Sequence, residues 1–246
     1  MAGPGTAAGP GVLRGARFAA TGPLVGAVLG AFVLVEAFLL GLGLLVTRVL
    51  DRSPVEEGEV DFVHAVLDRR TPTWDTVTRY GTVLGATSTV VVLTAAGCLV
   101  LALRRHGPRL PLFLALAVIG ETLLFLIASA VLDRVRPPIP QLDVAPPTSS
   151  FPSGHTAASV ALWVGLALGL SRTRPGHRLR LLCWSLAVAV PLFVLLSRLY
   201  RGMHWPTDTV AGVLFALVWV LLLRAVLLPS ARGDRAGPSG VPARGK

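Results

Sequence analysis

Long apolar runs constrain the fold of this 246-residue chain more than any other feature. A helix needs roughly 20 apolar residues to cross the hydrocarbon core of a bilayer, because each residue adds about 1.5 Å to its length. Only 15% of the residues are charged, whereas a soluble domain has about 25%. The sequence therefore predicts an all-α, polytopic membrane protein with six transmembrane helices, at Leu24–Val46, Gly81–Leu103, Pro111–Leu132, Thr156–Leu170, Leu181–Leu196 and Thr207–Leu228.

The charges of the connecting loops predict how these helices are oriented. The loop between the second and third runs and the loop between the fourth and fifth contain Arg but no acidic residue. The segment that follows the first run contains seven acidic residues and five Arg. Because short basic loops remain in the cytoplasm, both termini are predicted to be cytoplasmic. The loops after the first, third and fifth runs are then predicted to face outward.

One domain, residues 24–228, is predicted between two flexible tails. Residues 1–23 and 229–246 are rich in Gly, Ala and Pro, a composition typical of poorly ordered termini. In the outward segment Asp51–Tyr80, apolar residues between Val60 and Leu67 recur near helical spacing, which predicts a short amphipathic helix. The first run is longer than the core of a signal peptide, about 7–15 residues, so we expect it to be retained.

The net charge of +10 does not by itself indicate a nucleic-acid partner. The basic residues lie in short loops between apolar runs, where membrane topology accounts for them, so no nucleic-acid partner is expected. Cys98 and Cys183 fall inside apolar runs and are expected to pack there, and no Cys/His spacing typical of a zinc site is present. No feature of the sequence indicates an oligomeric state.

Three polar clusters lie at the ends of the runs that are predicted to face outward. They are Asp133–Pro137 after the third run, Phe151–His155 before the fourth, and Ser197–Asp208 between the fifth and sixth. Each cluster alone has a structural explanation. Arg can reach lipid headgroups, Pro-Ser-Gly-His can form a turn and helix cap, and His204 can bond Asp208 across one helical turn. Together they place two His, several Arg and one Asp on one face of the membrane, which favours a functional site.

A phosphate group is the ligand that this combination fits best. The guanidinium groups of Arg136 and Arg198 have the planar, forked geometry that binds phosphate oxygens. Ser153 and Gly154 come directly before a predicted helix, where free backbone N–H groups and the helix dipole favour an anion. The clusters therefore predict a phosphate site that takes its positive charge from Arg and requires no metal and no other cofactor.

The two histidines and the aspartate suit hydrolysis of a phosphate ester. His204 is the predicted nucleophile, because a neutral imidazole can attack with one nitrogen while the other holds the proton. Asp208, four residues later, is spaced to accept that N–H and fix the tautomer, as the acid of a catalytic triad does. His155 is the predicted general acid for the departing oxygen and the base that later activates water.

The clusters resemble the three-part signature of the type 2 phosphatidic acid phosphatase and haloperoxidase superfamily, and within it the bacterial membrane lipid phosphatases. The resemblance is carried by Arg136-Pro137, by Pro152–His155, and by Ser197-Arg198 followed by His204 and Asp208. It implies a six-helix enzyme of the cell membrane that removes phosphate from lipid phosphates or diphosphates without a metal ion. It also implies that the active site faces the extracytoplasmic side and that the partners are the lipid substrate and surrounding membrane lipids.

The resemblance further implies a role for each matched residue. His204 becomes phosphorylated, Asp208 orients it, and His155 is the acid. Phosphate is bound by Arg136, Arg198, Ser153 and Gly154.

One position departs from the signature. Members of the family usually have a Lys seven residues before the Arg of Arg-Pro, and Ser129 occupies that position here. A serine donates one hydrogen bond but carries no charge. Arg134 is nearby in sequence, and we expect it to replace the missing cation and contribute to phosphate binding.

Two carboxyl groups inside predicted spans and one unusually short span are further features that bear on function. Glu36 and Glu121 lie within predicted spans, where a carboxyl is a functional candidate by default and otherwise a hydrogen-bonded packing residue. The fourth span, Thr156–Leu170, is about 22 Å long as a helix, which is shorter than the hydrocarbon core of about 30 Å. We therefore expect His155 to lie slightly below the outer surface, where a lipid phosphate can enter sideways.

Hydrolysis of a lipid phosphate is the predicted function, with phosphatidic acid, phosphatidylglycerol phosphate and polyprenyl phosphates or diphosphates as open substrates. Transfer of the phosphoryl group from His204 to another lipid is an alternative within enzymes. A catalytically weak lipid-binding or scaffold protein is an alternative from another class, because Ser129 replaces a cation. A transporter is disfavoured, since the charged residues gather at one face and leave no polar path through the spans.

Overall fold

The structure, a computed structural model, describes residues 10–50, 53–104 and 107–228, with side chains from residue 22 onward. This part of the chain contains α-helices and no β-strand. The helices are α1 (Pro10–Leu44), which continues as a short π-helix (Leu45–Val49), α2 (Pro54–Leu67), α3 (Pro72–Gly85), α4 (Thr87–Leu103), α5 (Arg109–Val131), α6 (Gly154–Ser171), α7 (His177–Tyr200) and α8 (Pro206–Leu227). The all-α prediction is confirmed.

Five segments are long and apolar enough to cross a membrane, and the pair α3 and α4 makes a sixth if it is counted as one span. The five are Gly22–Val49, Arg109–Val131, Gly154–Ser171, His177–Tyr200 and Pro206–Leu227. They coincide with the first, third, fourth, fifth and sixth predicted spans to within a few residues. A multi-pass membrane protein is therefore the architecture that these helices form.

The span predicted at Gly81–Leu103 is not one unbroken helix, because it includes the last residues of α3 and the whole of α4. The chain bends by 51° between α3 and α4, because Ala86 leaves the helical region with a ψ of 143°. Gly85 makes the bend compatible with close packing, since an added Cβ there would lie 2.8 Å from Val194 Cγ1 and 3.1 Å from the backbone oxygen of His155. The break thus brings α3 directly against the beginning of α6.

Helix α1 begins well before the first predicted span. Residues 10–23, assigned from composition to a flexible tail, form the first turns of α1, which starts at a proline. Proline is favoured at the first helical position because its φ is already helical and its missing N–H has no partner there. Residues 1–9 and the predicted tail 229–246 lie outside the described residues.

The amphipathic helix predicted within Asp51–Tyr80 is present as α2, and α3 follows it. Ser53 caps α2 by accepting a hydrogen bond from the Val55 N–H at 3.2 Å, and Thr71 caps α3 in the same way. Prolines occupy the first position of both helices. Val63 is buried as the periodicity predicts, but so is Glu59, one turn earlier.

Helix α6 lies at the centre of the bundle and packs against α4, α5, α7 and α8. Its small residues Ala157, Ala161 and Ala167 are fully buried, and small side chains allow helices in lipid to approach closely. Gly212 of α8 lies so near the start of α6 that an added Cβ would be 2.8 Å from the Ser153 carbonyl oxygen. This packing fixes where the first turn of α6 points.

Trp219 of α8 contacts two other spans, α1 and α5. Its ring meets Phe32 of α1 edge to face at 5.9 Å, and its Nε1 donates to the Ala117 carbonyl of α5 at 3.0 Å. The ring fills the space that the missing side chain of Gly120 leaves, so an added Cβ at that glycine would overlap it.

Gly120→Ala is expected to destabilise the bundle by about 1–3 kcal/mol, because overpacking displaces the fully buried indole of Trp219. Thermal unfolding in detergent, followed by circular dichroism, should show a midpoint several degrees lower. Gly41→Ala is the matched control, since Gly41 is exposed on α1 with nothing near its Cβ position. Equal midpoints for the two variants would show that the indole is not held as described.

Candidate active site

The structure brings the three polar clusters together at one end of the bundle. A cavity of about 430 Å³ is lined by Arg136 from the loop after α5, by Gly154 and His155 from the first turn of α6, by Arg198 near the end of α7, and by His204 between α7 and α8. The two imidazoles and two guanidinium groups therefore face one space. The remaining walls are formed mainly by apolar residues of α4 and α5.

The turn between α7 and α8 places His204 by backbone geometry. Gly202 has a φ of +70°, a left-handed conformation that glycine adopts without strain. The Met203 N–H then donates to the Arg198 carbonyl at 3.1 Å, which closes the end of α7. Pro206 begins α8 immediately afterwards. His204 is held between these two helix ends and is 5% exposed.

The surroundings of His204 favour one tautomer. Its Nδ1 lies 2.8 Å from the Ser150 carbonyl oxygen and 3.8 Å from Asp208 Oδ2. The carbonyl can only accept, so Nδ1 carries the proton and Nε2 keeps a free lone pair. Burial lowers the pKa of the His204 imidazole, although Asp208 opposes this. The predicted hydrogen bond to Asp208 is thus replaced by one to Ser150, and Asp208 acts on the ring from a greater distance.

Asp208 instead connects the loops around the site. Its carboxylate accepts hydrogen bonds from the Ser150 hydroxyl and from the Trp205 N–H, the latter at 2.9 Å, and forms an ion pair with Arg134. Its carbonyl accepts from the Ser153 N–H at 3.1 Å. One residue therefore links the segment before α6, the turn before α8 and the loop after α5.

Arg134, expected to bind phosphate in place of the missing Lys, is engaged elsewhere. Its Nη2 pairs with Glu59 of α2 at 2.6 Å, its Nη1 contacts Asp208 and the Thr207 hydroxyl, and its guanidinium lies 5.5 Å from the Trp205 ring centre. It does not line the cavity that holds the histidines. The ion pairs with Glu59 and Asp208 satisfy its charge and hold α2 against the start of α8.

Ser129 also lies outside the histidine cavity. Its hydroxyl donates to the Leu126 carbonyl at 3.1 Å, the usual helical arrangement. It lines a second, open depression together with Arg136 and Ser149. Arg136 and Ser149 line both the histidine cavity and this depression, which therefore adjoin each other.

The two arginines in the cavity keep donors free. Arg136 donates to the Met203 carbonyl at 2.6 Å, and Arg198 donates to Asp143 Oδ2 at 2.7 Å and to the Thr82 hydroxyl at 3.0 Å. Within the described part of the chain, the buried Nε of each has no partner. Burial lowers the pKa of Arg136, with Asp208 opposing, but a guanidinium stays protonated in proteins. Both side chains line the cavity, so their guanidinium groups can bind an anion there.

The first turn of α6 adds backbone donors. Ser153 caps no backbone N–H with its side chain, since its hydroxyl pairs with that of Thr156 at 3.0 Å. The first N–H groups of a helix have no partner within it and attract an anion. Gly154 lines the cavity, whereas Ser153 is fully buried behind it. Ser153 therefore contributes to the shape of the turn, and Gly154 to the surface facing the cavity.

Asp143, in the loop between α5 and α6, is the main residue that sequence reasoning missed. Its carboxylate holds Arg198, and it accepts from Arg201 Nε at 2.9 Å and Nη2 at 2.8 Å. Burial favours the neutral acid, but the hydrogen bond from Arg201 and the charges of both arginines outweigh it and lower the pKa of Asp143. No local sequence signal marks it, because its partners lie more than 50 residues away.

Glu59 is the second missed residue, and it did have a signal. It is an acidic residue on the same helical face as the buried Val63, one turn away. Its Oε1 accepts from the Thr207 N–H at 2.7 Å and hydroxyl at 2.8 Å, and its Oε2 pairs with Arg134. A carboxylate on the apolar face of an amphipathic helix indicates a buried cationic partner.

Among the described residues, no group of three or more His, Cys, Asp or Glu is placed to hold a metal ion.

Fold and site together define a multi-pass helical membrane protein with a cavity of imidazole and guanidinium groups at one end of its bundle. The chain belongs to the PAP2 superfamily, whose family model matches residues 86–231. The family predicted from the three clusters is therefore confirmed.

Two known proteins are similar to this chain, one in sequence and one in structure. An undecaprenyl-diphosphatase of Sulfolobus acidocaldarius is 32% identical over 117 residues, which cover 45% of this chain and 49% of that protein. The chain thus matches about half the length of this relative. The crystal structure of a transmembrane PAP2-type phosphatidylglycerolphosphate phosphatase from Bacillus subtilis superposes with a TM-score of 0.69 at 24% identity, over 79% of this chain and 94% of that one. It shows a shared fold, and both names agree with the predicted class, a lipid phosphatase.

Asp143→Asn is expected to lower stability by about 2 kcal/mol at pH 7, because two arginines lose the charged acceptor that they share. The pKa of Asp143 is lowered in the folded protein, so its contribution is complete above the unfolded value of about 3.9 and is lost as the pH falls through the folded value. Unfolding midpoints in detergent should therefore differ at pH 7, and the difference should shrink as the pH falls below about 3.9 and through the lower pKa of the folded protein.

Asp61→Asn is the control for this measurement, since Asp61 is exposed on α2. It should leave the midpoint unchanged at both pH values. A midpoint for Asp143→Asn that equals the wild-type value at pH 7 would contradict the role assigned to this carboxylate.

Proposed function

We propose that the chain is a lipid phosphatase that hydrolyses a lipid phosphate or diphosphate at the outer membrane face through a phosphohistidine at His204. One observation carries the proposal. Two histidines, two arginines and the beginning of α6 line a single cavity whose other walls are mostly apolar. Such a cavity suits a molecule with a phosphate at one end and a hydrocarbon chain at the other.

The phosphate is bound by charge and by directed donors. Arg136 and Arg198 approach from two different elements, and both line the cavity. The first turn of α6 presents backbone N–H groups at Gly154. Preorganised donors of this kind stabilise the charge that develops on the equatorial oxygens during phosphoryl transfer. No metal ion takes part in this proposal.

The reaction proceeds in two displacements. His204 Nε2 attacks phosphorus, the bond between phosphorus and the lipid oxygen breaks, and His155 gives its proton to that oxygen. A water molecule then attacks the phosphorus of phospho-His204 while His155 accepts its proton, the bond between phosphorus and Nε2 breaks, and inorganic phosphate is released. The Ser150 carbonyl holds the Nδ1 proton throughout, and Asp208 at 3.8 Å favours the positive charge on the ring.

The lipid chain has a path from the bilayer to this site. Val91 of α4 and Leu126 of α5 line the cavity and are 57% and 52% exposed on the surface of the bundle. The cavity therefore borders the lipid-facing surface between these helices. Both similar proteins are named for lipid phosphate substrates, which supports the same substrate class here.

The proposed orientation places both termini in the cytoplasm and the cavity outside. The three loops that build the site lie at the same end of the bundle as α2, because Glu59 contacts Arg134 and Thr207 directly. The opposite end carries the purely basic loops, which remain cytoplasmic in membrane proteins.

His204→Ala is expected to reduce phosphate release by on the order of a thousandfold or more, because the nucleophile is lost. His155→Ala should reduce the rate of hydrolysis of dioleoyl phosphatidic acid about 10²- to 10⁴-fold. It should reduce the rate for p-nitrophenyl phosphate much less, because that leaving group needs little protonation. The measurement is phosphate release by purified protein in detergent with EDTA, together with ³²P labelling of the chain.

His64→Ala serves as the matched histidine control, since His64 is exposed on α2 and should retain the wild-type rate. The ³²P bound to the wild-type protein should be stable in alkali and released in acid, and the His204→Ala protein should carry no ³²P. Full activity of His204→Ala, or abolition of wild-type activity by EDTA, would overturn the mechanism.

Cysteine labelling tests the orientation. In a Cys98→Ser, Cys183→Ser background, Val144→Cys should react with a membrane-impermeant maleimide on intact cells, because Val144 is 97% exposed in the loop before α6. Gly176→Cys, in the exposed loop between α6 and α7, should react only after the membrane is permeabilised. The reverse pattern would place the site in the cytoplasm.

A further inference from the structure

Glu121 is a buried carboxyl that the proposed mechanism does not use. It lies in the middle of α5, is 1% exposed, and lines the same cavity as the two histidines. The neighbouring walls at this depth are apolar, with Val118 and Phe125 on either side of it along the helix and Val90 opposite on α4. A polar side chain is therefore placed among the residues that would surround the lipid chain.

The contacts of Glu121 leave it available to a ligand. Thr122 Oγ1 lies 3.4 Å from its Oε2, but that hydroxyl donates its one proton to the Val118 carbonyl at 2.9 Å. No Arg or His in the described ranges forms an ion pair with Glu121, because every such pair there involves other carboxylates. An isolated charge in apolar surroundings is far more costly than a neutral acid. The carboxyl is thus expected to act as a hydrogen-bond donor.

The distance between Glu121 and the phosphate site can be read from the packing of α5 on α6. Phe125 lies against Gly154, since an added Cβ on that glycine would be 3.0 Å from the phenyl ring. Glu121 is one helical turn further from the loops, a separation of about 6 Å along α5. In a glycerophospholipid, five single bonds connect phosphorus to the carbon of the nearer ester carbonyl, which spans about 6 Å when extended. The carboxyl lies at the depth of that carbonyl.

We propose that Glu121 donates a hydrogen bond to an ester carbonyl of the substrate and so selects glycerophospholipids over polyprenyl phosphates. A polyprenyl chain has no acceptor at this depth and would leave the carboxyl unpaired, which costs free energy. The inference rests on the proposed function in so far as a lipid phosphate occupies the cavity. It goes further by naming the class of lipid and the residue that recognises it.

Three lipids separate the ester carbonyl from every other feature of the substrate. They are dioleoyl phosphatidic acid, its ether-linked counterpart, which lacks only the carbonyl groups, and farnesyl phosphate. The wild-type protein should have a kcat/KM for the ester-linked lipid about five- to tenfold above that for the ether-linked one, the effect of one buried hydrogen bond. Farnesyl phosphate should be hydrolysed at least as slowly as the ether-linked lipid.

Two substitutions at Glu121 assign the preference to this side chain. Glu121→Leu should bring the ester-to-ether ratio close to one, because the hydrogen bond to the ester-linked lipid is lost and the ether-linked lipid no longer leaves a carboxyl unpaired. Glu121→Gln should retain most of the ratio, because the amide also donates. Glu36→Leu is the matched control: Glu36 is likewise a buried carboxyl within a span, on α1 and outside the cavity, and its loss should leave the ratio unchanged.

The outcomes distinguish this inference from the proposed function. A wild-type ratio near one overturns the inference without any variant, and so does a Glu121→Leu variant that loses activity equally on both lipids. Binding of the two phosphatidic acids to His204→Ala protein, compared by native mass spectrometry, gives the same ratio without turnover. If the wild type releases no phosphate from any of the lipids, the proposed function fails, while the binding ratio still decides the role of Glu121.

Discussion

Asp208 is a carboxylate buried at the start of α8, where an unpaired charge would cost several kcal/mol. Its partners come from other segments: the Ser150 hydroxyl from the loop before α6 and Arg134 from the loop after α5. Arg134 in turn pairs with Glu59 of α2. The need to pair these charges fixes the loops relative to one another, so the positions of both histidines depend on it. Asp143 does the same for Arg198 and Arg201 on the opposite side of the cavity.

Much of this arrangement could be predicted from the sequence because its signals are local. Apolar runs of sufficient length identified five spans, and the polar clusters at their ends identified the two histidines and the two arginines that line the cavity. Glycine and proline at the ends of helices marked the turns that present His155 and His204. In each case the residues that determine the local structure are within one or two helical turns of the side chain that they position.

The remainder depends on contacts between distant segments, for which the sequence has no periodic signal. Arg134 was expected at the phosphate because the prediction rested on its position in the sequence near Arg136. Its carboxylate partner Glu59 is 75 residues away, and no local pattern indicates that pair. Asp143 was missed for the same reason. The bend at Ala86 was missed because the apolar pattern continues through it, and it becomes necessary only where Gly85 packs against the backbone of His155.

The position of Arg136 has a consequence for the products of the proposed reaction. This side chain borders both the cavity that reaches the lipid-facing surface and the open depression lined by Ser129 and Ser149. A dephosphorylated lipid can return sideways into the bilayer by the route through which the substrate entered. Inorganic phosphate, released beside Arg136, is already next to the aqueous side. In the proposed reaction the lipid product and inorganic phosphate can therefore leave on different sides of Arg136.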